Sequence, residues 1–368
     1  MSKPAELIEK LARVREMMQE KKLDGVYLKR QDSFAWLTCG GTNYIGQGEL
    51  GLCGLLVTHD STYAITNNIE APRVRDEENL EELGFEIHYA TWYENQFENQ
   101  TIDKIMKNGV VGYDFGTDRG INIAGAMKFM RFSLTDGEIE RYKVGGLLAA
   151  RIIEQTLAES YPGQTERELI GRVASKTRAQ GMDVISTMCA ADHRIYNYRH
   201  PIGTFNAIKE RVQLGGNFNY KGLVICCSRF ANFVPVTDEL QEQYIKNTEI
   251  DCTFMLNSIP GNTYVSALEA GKKAYEERGY GDEFLKHHQG GPIGYAAREY
   301  RVDFSTPGLI QENQAFCWNP SVTGTKSEDT IIATSNGIIP VSKPIMCPTI
   351  EVEVDGHKFT RSNIWEIL

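Results

Sequence analysis

The sequence predicts an α/β domain over residues 1–133, followed by an α+β domain over residues 134–368. Strand and helix patterns alternate across the first part, as they do in α/β domains. In the second part the order helix, helix, strands occurs twice, which indicates two similar halves with a site between them. A chain of 368 residues is long enough for both domains to bury a full core.

The first domain is predicted to begin with an amphipathic helix. Leu7, Leu11, Val14 and Met18 recur at helical spacing, and Gly25 follows as a stop signal at the C-terminal end. Short apolar runs predict the strands, and longer amphipathic segments predict the helices. The predicted strands are 26–28, 54–57, 63–66, 85–88 and 110–113, and the further helices are 71–83 and 121–129.

The second domain is predicted to begin with a long helix. Thr135 and Glu138 form a capping signal, because a side-chain oxygen at the first position can accept from the free amides of the first turn. Thr165 and Glu168 give the same signal for the next helix. The later predicted strands are 184–189, 212–218, 223–230 and 330–332, and the later helices are 239–255 and 263–278.

Composition restricts the classes of partner. The hydrophobic content of 41% and the charged content of 24% are those of a soluble globular protein. A net charge of −10 argues against binding nucleic acid or an anionic membrane through bulk electrostatics. No apolar run approaches the roughly 20 residues of a membrane span, and the charged N-terminal segment is unlike a signal or transit peptide. We expect a cytoplasmic protein without nucleic-acid or membrane partners.

The eight cysteines are scattered along the chain and form no CxxC pair. This distribution disfavours both a structural zinc ribbon and a disulfide framework. A reducing compartment is consistent with it.

One stretch contains side chains suited to chemistry. The segment HHQGGPIGY (His287–Tyr295) places two imidazoles before a predicted Gly-Gly-Pro turn, where backbone can approach a ligand closely. Glu328 precedes the buried strand predicted at 330–332. A histidine and a carboxylate on neighbouring strands would form a site. An ordinary loop is the alternative.

Several segments, in order, resemble the pita-bread hydrolases, which include methionine aminopeptidase, aminopeptidase P, prolidase and creatinase. The segment LARVREMMQEKKLDGVYL and the strand TYAIT resemble the creatinase-type N-terminal domain. Seven later segments resemble the catalytic domain, in the order that family uses: IERYKVGGLLAARIIEQTL, YPGQTERELIGRV, HPIGT, KGLVICCSR, HHQGG, NQAFCWNP and KSEDTIIAT. The resemblance implies a creatinase-type N-terminal α/β domain followed by an α+β pita-bread domain.

Metal-dependent members hold two divalent ions on two aspartates, a histidine and two glutamates. The resemblance places these positions at Gly215, Cys226, His288, Asn319 and Glu328. Only His288 and Glu328 keep the ligand type. Two dications need several carboxylates to offset their repulsion, so we expect no dinuclear centre and no cofactor. A single zinc on Cys226, His288 and Glu328 remains open, since thiolate, imidazole and carboxylate all suit zinc.

Creatinase is the relative that keeps the fold and lacks the metal, and His200 matches by position the family histidine outside the metal site. Hydrolysis of a C–N bond needs a group that deprotonates water and protonates the leaving nitrogen, and histidine does both near neutral pH. We therefore assign catalytic roles to His200, His288 and Glu328. The alternative for His200 is a structural role, in which its imidazole makes hydrogen bonds within a strand and stabilises the fold.

Other residues are expected to contact the substrate. Arg298 and Glu299 occupy the region where the family often has His-Glu. Glu328 would bind either a cationic group of the substrate or an internal partner such as Arg199, Arg229 or Arg298, because an unpaired buried carboxylate is costly. Cys226 is a candidate nucleophile if His288 lies beside it, and a small core residue otherwise. The complete set of predicted substrate contacts is Cys226, Ser228, Arg298, Glu299, Asn319 and Tyr198.

Three functions are consistent with these residues. The first is a hydrolase of a C–N bond in a small molecule or short peptide that does not use a dinuclear metal centre. The second is an Xaa-Pro-type metallopeptidase with atypical ligands. The third is a non-catalytic binding protein on the same fold. The resemblance also implies a homodimer.

Overall fold

The computed structural model describes residues 2–368. The chain divides into two compact units, the first ending at Glu138 and the second covering Ile139–Leu368. Each unit has its own β-sheet. The α/β character predicted for the first part and the α+β character predicted for the second are both confirmed.

The first unit contains five short to medium helices and a six-stranded sheet with strand order β4-β3-β2-β1-β5-β6. Its helices are α1 (Lys3–Lys21), α2 (Gln31–Leu37), α3 (Ala71–Asp76), α4 (Phe97–Met106) and α5 (Ala124–Met130). Its strands are β1 (Gly25–Arg30), β2 (Leu50–Thr58), β3 (Thr62–Asn67), β4 (Glu86–Ala90), β5 (Val111–Tyr113) and β6 (Ile121–Asn122).

All five strands predicted for this unit are present, but several helix boundaries differ. Helix α1 ends at Lys22, which is left-handed at φ 54°, and Gly25 begins β1 instead of stopping the helix. Helix α3 stops after six residues, and the left-handed φ of 57° at Asn79 interrupts the segment that was predicted to remain helical. Residues 121–122 form β6, and the Asn122 side chain accepts from the Ala124 amide where α5 begins.

The second unit contains five helices and an eight-stranded sheet with two small hairpins. Its helices are α6 (Asp136–Ala158, beginning at the end of the first unit), α7 (Glu166–Ala179), α8 (His193–Asn197), α9 (Asp238–Leu256) and α10 (Tyr264–Glu277). Its strands are β7 (Asp183–Ala191), β8 (Arg211–Tyr220), β9 (Leu223–Asn232), β10 (Gly290–Pro292), β11 (Gln314–Trp318), β12 (Ser321–Val322), β13 (Thr325–Lys326), β14 (Asp329–Thr334), β15 (Gly337–Pro340), β16 (Thr349–Val354), β17 (His357–Ser362) and β18 (Trp365–Glu366).

The two capping signals act as predicted. The Glu138 amide donates to Thr135 Oγ1 at 3.2 Å, and the Thr135 amide donates to Glu138 Oε2 at 2.8 Å. Thr165 and Glu168 make the same reciprocal pair at the start of α7. Each box satisfies amides that have no partner within the helix, which fixes where the helix begins.

The large sheet of the second unit has six strands in the order β10-β11-β14-β9-β8-β7, and its other two strands pair outside this order, β15 with β14 and β18 with β9. The predicted Gly-Gly-Pro turn is instead strand β10, which pairs with β11. Gly290 has a φ of +96°, and a Cβ there would lie 2.3 Å from the Cys317 carbonyl oxygen. Glycine is therefore needed for close packing of two strands, and not for the approach of a ligand.

Within residues 2–368, none of the helices combines the length and the apolar character that crossing a bilayer requires.

Candidate active site

The sheet of the second unit brings the five positions of the family metal site onto or next to neighbouring strands. Gly215 lies on β8 and Cys226 on β9, and these strands are paired. Glu328 directly precedes β14, which pairs with both β9 and β11. Asn319 directly follows β11, and His288 lies two residues before β10.

The backbone around Gly215 has no room for a carboxylate side chain. Gly215 pairs with Ser228, and a Cβ built at residue 215 would lie 2.2 Å from Ser228 Oγ and 3.0 Å from the Cys227 carbonyl oxygen. An aspartate at this position would require the Ser228 side chain to move, and its Cβ would be tight against the Cys227 carbonyl oxygen. The first metal-ligand position of the family is therefore closed by packing as well as by residue type.

Glu328 is already paired with internal groups. Its carboxylate lies 2.8 Å from Lys326 Nζ, 2.6 Å from Ser228 Oγ and 3.6 Å from Arg298 Nη2. Burial raises the pKa of this carboxyl, but the charges of Lys326 and Arg298 outweigh burial and hold the pKa below its usual range. Two side-chain cations thus supply the positive charge that metal ions supply in metal-dependent relatives.

Cys226 is fully buried and lies beside Arg298 and Cys317. Arg298 Nη1 is 3.6 Å from Cys226 Sγ, and Arg298 Nη2 is 3.9 Å from Cys317 Sγ. The interaction with Cys317 is the main cause that lowers the pKa of Cys226, and burial opposes it. Among residues 2–368 no hydrogen bond joins Cys226 to a histidine, so the proposed Cys226–His288 couple has no contact to support it.

Asn319 and Glu299 are both buried next to the segment around β10. The Asn319 amide donates to the Gln289 carbonyl oxygen at 3.1 Å, whereas its side-chain Oδ1 is buried without a hydrogen-bond partner. The Glu299 amide donates to the Pro292 carbonyl oxygen, and its carboxylate lies beside Gly294. These residues face the strands around β10, and Asn319 Oδ1 is an acceptor that remains available.

The residues at the five positions do not fit a dinuclear metal site. Gly215 has no ligand atom and no space for one, and Glu328 is neutralised by two cations. The alternative zinc site on Cys226, His288 and Glu328 fits no better, because Arg298 contacts both the thiol and the carboxylate. A dication held between Cys226 and Glu328 would have to displace the partly buried Arg298 guanidinium from its contacts with both groups, which is unfavourable.

Three histidines lie together near Arg298, Lys326 and Glu328. His200 comes from the loop after α8, outside any strand, and His287 and His288 precede β10. His200 Nε2 lies 3.0 Å from His287 Nε2, and His287 Nδ1 lies 3.1 Å from Ser321 Oγ. The ring centroids of His200 and His288 are 5.4 Å apart. We call these three residues the histidine cluster.

The three imidazoles are held in their neutral form. Burial is the main cause that lowers the pKa of His287 and His288, and partial loss of surrounding water is the main cause that lowers the pKa of the more exposed His200. Lys326 adds to the effect on His287, whose pKa falls to about 2, and Arg298 adds to the effect on His288, whose pKa falls to about 4. Neutral imidazoles can accept a proton or a metal ion through a free nitrogen lone pair.

Tyr198 and two of the arginines considered as partners of Glu328 make other contacts. The Tyr198 side chain is exposed, and its ring packs against the guanidinium of Arg194. Arg199 pairs with Glu283 and donates to Thr323 Oγ1 at 2.9 Å, so it is not a partner of Glu328. Arg229 pairs with Glu154 and Asp329 instead. Of the three arginines considered, only Arg298 contacts Glu328.

Sequence reasoning singled out His287 as one of two adjacent imidazoles but gave it no role, and it missed Ser321 and Lys326 as members of the site. Lys326 lies two residues before Glu328, and that spacing places both side chains on one face of an extended segment, so a signal was present. His287 gave no such signal, because adjacent residues in extended chain point to opposite faces. Ser321 is brought in by the short hairpin of β12 and β13, which the apolar pattern did not predict.

Replacing Lys326 with alanine should destabilise the protein by about 3 kcal/mol, because it leaves the buried Glu328 carboxylate short of its nearest cation. Urea-induced unfolding at pH 7 measures this change. The folded-state pKa of Glu328 is lowered, so the difference from wild type should be full above the unfolded pKa of about 4.3 and shrink as the pH falls through the folded value.

Lys246→Ala is the matched control for that experiment. Lys246 pairs with Glu242 on the surface of α9, with exposed fractions of 37% and 67% for the two side chains. Exposed pairs of this kind contribute little, so we expect the unfolding midpoint of Lys246→Ala to stay at the wild-type value. Equal unfolding midpoints for Lys326→Ala and Lys246→Ala would show that the Lys326–Glu328 pair does not stabilise the fold.

Known proteins share parts of this sequence and its fold. Residues 10–118 match the family model described as the Creatinase/Prolidase N-terminal domain. An uncharacterized peptidase of Staphylococcus saprophyticus is 25% identical over 232 residues, which cover 61% of this chain and 66% of that relative. These matches relate the sequence to proteins that are named as peptidases.

Solved structures extend the similarity to nearly the whole chain. An Xaa-Pro dipeptidase from Bacillus anthracis aligns with a TM-score of 0.75 at 21% identity, covering 98% of this chain and 100% of that one. The N-terminal domain of the FACT complex subunit SPT16 from chickpea aligns with a TM-score of 0.69 at 12% identity, covering 92% and 96%. At these identities the likeness concerns the fold. Together with the N-terminal domain match, it shows that this chain has the two-domain fold of the Xaa-Pro dipeptidase structure and is similar in sequence to proteins named as peptidases.

Proposed function

We propose that this protein hydrolyses a C–N bond in a small molecule or short peptide without a dinuclear metal centre. The observation that carries the proposal is the pairing of Glu328 with Lys326 and Arg298 beside three neutral histidines. The pairing removes the carboxylate that metal ions need, and the histidines supply groups that transfer protons. Sequence similarity to proteins named as peptidases supports the reaction class.

His200 is the proton carrier in this proposal. Its imidazole is the most exposed of the histidine cluster, and its Nε2 is held 3.0 Å from His287 Nε2. Ser321 Oγ orients His287 through Nδ1. His200 would accept a proton from the attacking water and return it to the leaving nitrogen as the C–N bond breaks, so that the histidine is regenerated. His288 is then positioned to contact the substrate.

Glu328 supports the site in this proposal without recognising a cationic substrate. Its charge is balanced internally, so a guanidinium group would find no free carboxylate there. Asn319 Oδ1, which is buried without a hydrogen-bond partner, is better suited to accept from a substrate N–H group. Amide N–H groups of a short peptide meet this requirement.

Turnover assays with EDTA-treated protein test the proposal. The substrates are Xaa-Pro dipeptides, longer peptides that begin with Xaa-Pro, and guanidino acids, with product amines measured by mass spectrometry. We expect hydrolysis of at least one class in the presence of the chelator. Hydrolysis that occurs only after a divalent metal is restored would contradict the proposal and favour an Xaa-Pro metallopeptidase with atypical ligands.

A binding protein is the second candidate. The fold likeness to a domain named as part of the FACT complex favours it, because the same architecture occurs in a protein that is named for that complex and not as a peptidase. A binding protein would retain affinity for peptides in the His200→Ala variant, and wild type would turn over none of the substrates above. Calorimetric titration of the same peptides distinguishes the two functions.

The expected localisation, oligomeric state and substrate class are part of the proposal as well. We propose a cytoplasmic homodimer whose partner is a small-molecule or short-peptide substrate. Light scattering coupled to size-exclusion chromatography measures the assembly directly.

A further inference from the structure

The histidine cluster has the geometry of a metal site that differs from the one its family uses. One nitrogen from each of His200, His287 and His288 lies within 4.8 Å of the other two. Zinc held by imidazoles at about 2.0–2.1 Å in a tetrahedral arrangement requires ligand nitrogens roughly 3.3 Å apart. The distance of 3.0 Å between the His200 and His287 Nε2 atoms is already close to that value.

Two further features of the cluster suit it to binding a ligand. His288 Nδ1 is buried and has no hydrogen-bond partner, which is costly unless a ligand satisfies it. Ser321 Oγ engages His287 Nδ1 and leaves Nε2 directed at His200. A hydrogen bond to the second ring nitrogen is the usual way in which proteins orient a metal-binding imidazole. Tyr275 in turn holds Ser321, because the Ser321 amide donates to the Tyr275 hydroxyl at 2.8 Å.

Charges around the cluster affect which ion it can bind. Lys326, Arg298, Arg301 and Arg199 face the histidines and oppose a dication, while Glu328 and Glu283 offset part of that charge. No carboxylate belongs to the cluster itself. Imidazole ligands select zinc, cobalt, nickel or copper over magnesium and calcium, which require oxygen ligands.

We propose that His200, His287 and His288 bind one divalent ion of the zinc class, and that this ion inhibits the enzyme. The ion would take up the Nε2 lone pair with which His200 accepts a proton, so metal binding and proton transfer exclude each other at this residue. The hydrogen bond between His200 and His287 would be replaced by two metal–nitrogen bonds, and its proton would move from Nε2 to Nδ1 of the ring that carries it, so that both imidazoles stay neutral. The binding claim is independent of the proposed reaction, whereas the inhibition claim rests on it.

Titration of metal-free protein with Co²⁺ tests the binding claim without any substrate. We expect visible d–d absorption that saturates at one ion per chain, displacement by Zn²⁺, and no competition from Mg²⁺. His287→Ala should weaken binding at least tenfold, and Ser321→Ala should weaken it about tenfold through the lost orientation of His287. His193→Ala is the matched control, because His193 is an exposed histidine on α8 outside the cluster.

The outcomes separate the two claims. Absence of saturable binding, or unchanged binding in both His287→Ala and His287→Gln, would overturn the metal site; the glutamine variant retains side-chain volume should the alanine variant fold poorly. Binding without loss of turnover at saturating Zn²⁺ would overturn the inhibition claim alone. Saturable binding in a protein that hydrolyses none of the tested substrates would support the metal site and count against the proposed function.

Discussion

Replacing His200 with alanine is expected to lower turnover of a C–N substrate by about 10²- to 10⁴-fold, the range typical for loss of a general acid/base. The remaining cluster cannot substitute for it, because His287 is fixed between His200 and Ser321. His200 is exposed, so its truncation should change the free energy of unfolding by no more than about 0.5 kcal/mol. Steady-state kinetics and urea unfolding on the same preparation separate chemistry from stability.

Two further measurements make the His200 experiment specific. Added imidazole should restore part of the turnover of His200→Ala, since it can occupy the space left and carry the proton. His193→Ala should retain wild-type turnover. If His200→Ala hydrolyses the substrate at the wild-type rate, His200 is not the proton carrier and the mechanism must be abandoned.

Arg229→Met is expected to destabilise the second unit by about 3–5 kcal/mol, the cost of leaving buried carboxylates without their cation. Arg229 is fully buried, with Nε 3.1 Å from Glu154 and Nη1 2.9 Å from Asp329. It also donates to the carbonyl oxygens of Ser228 and Ser342. Methionine fills much of the volume and makes none of these contacts, and urea denaturation of the full chain measures the loss.

Arg178→Met is the control for that measurement. Arg178 pairs with Asp183, but its side chain is 73% exposed, so solvent screens the pair. We expect its unfolding free energy to remain within about 0.5 kcal/mol of wild type. A similar result for Arg229→Met would mean that the buried network of charges around β9 and β14 is not required for stability.

The sequence predicted most of the fold because its signals are local. The capping boxes at Thr135–Glu138 and Thr165–Glu168 are four-residue patterns, and the structure has both. Helix ends set by a single left-handed residue were not predictable in the same way. Lys22 and Asn79 adopt positive φ without being glycine, and no nearby sequence pattern distinguishes them.

The candidate site was less predictable because its contacts are between distant residues. Resemblance located Gly215, Cys226 and Asn319 as departures from the metal ligands, but it did not reveal which groups replace the metal charge. Arg298 reaches Glu328 from a loop without regular structure, and three arginines were equally plausible partners until the fold was known. His200 and His287 are 87 residues apart in the chain, and loop geometry alone brings them together.

Metal stoichiometry tests the central claim most directly. The purified protein is incubated with excess Zn²⁺ or Mn²⁺, desalted, and measured by inductively coupled plasma mass spectrometry alongside a chain count from amino-acid analysis. Because Glu328 is paired with Lys326 and Arg298, and Gly215 cannot provide a ligand, we predict no more than one tightly bound ion per chain. Two ions per chain, lost on Glu328→Gln substitution, would contradict the account.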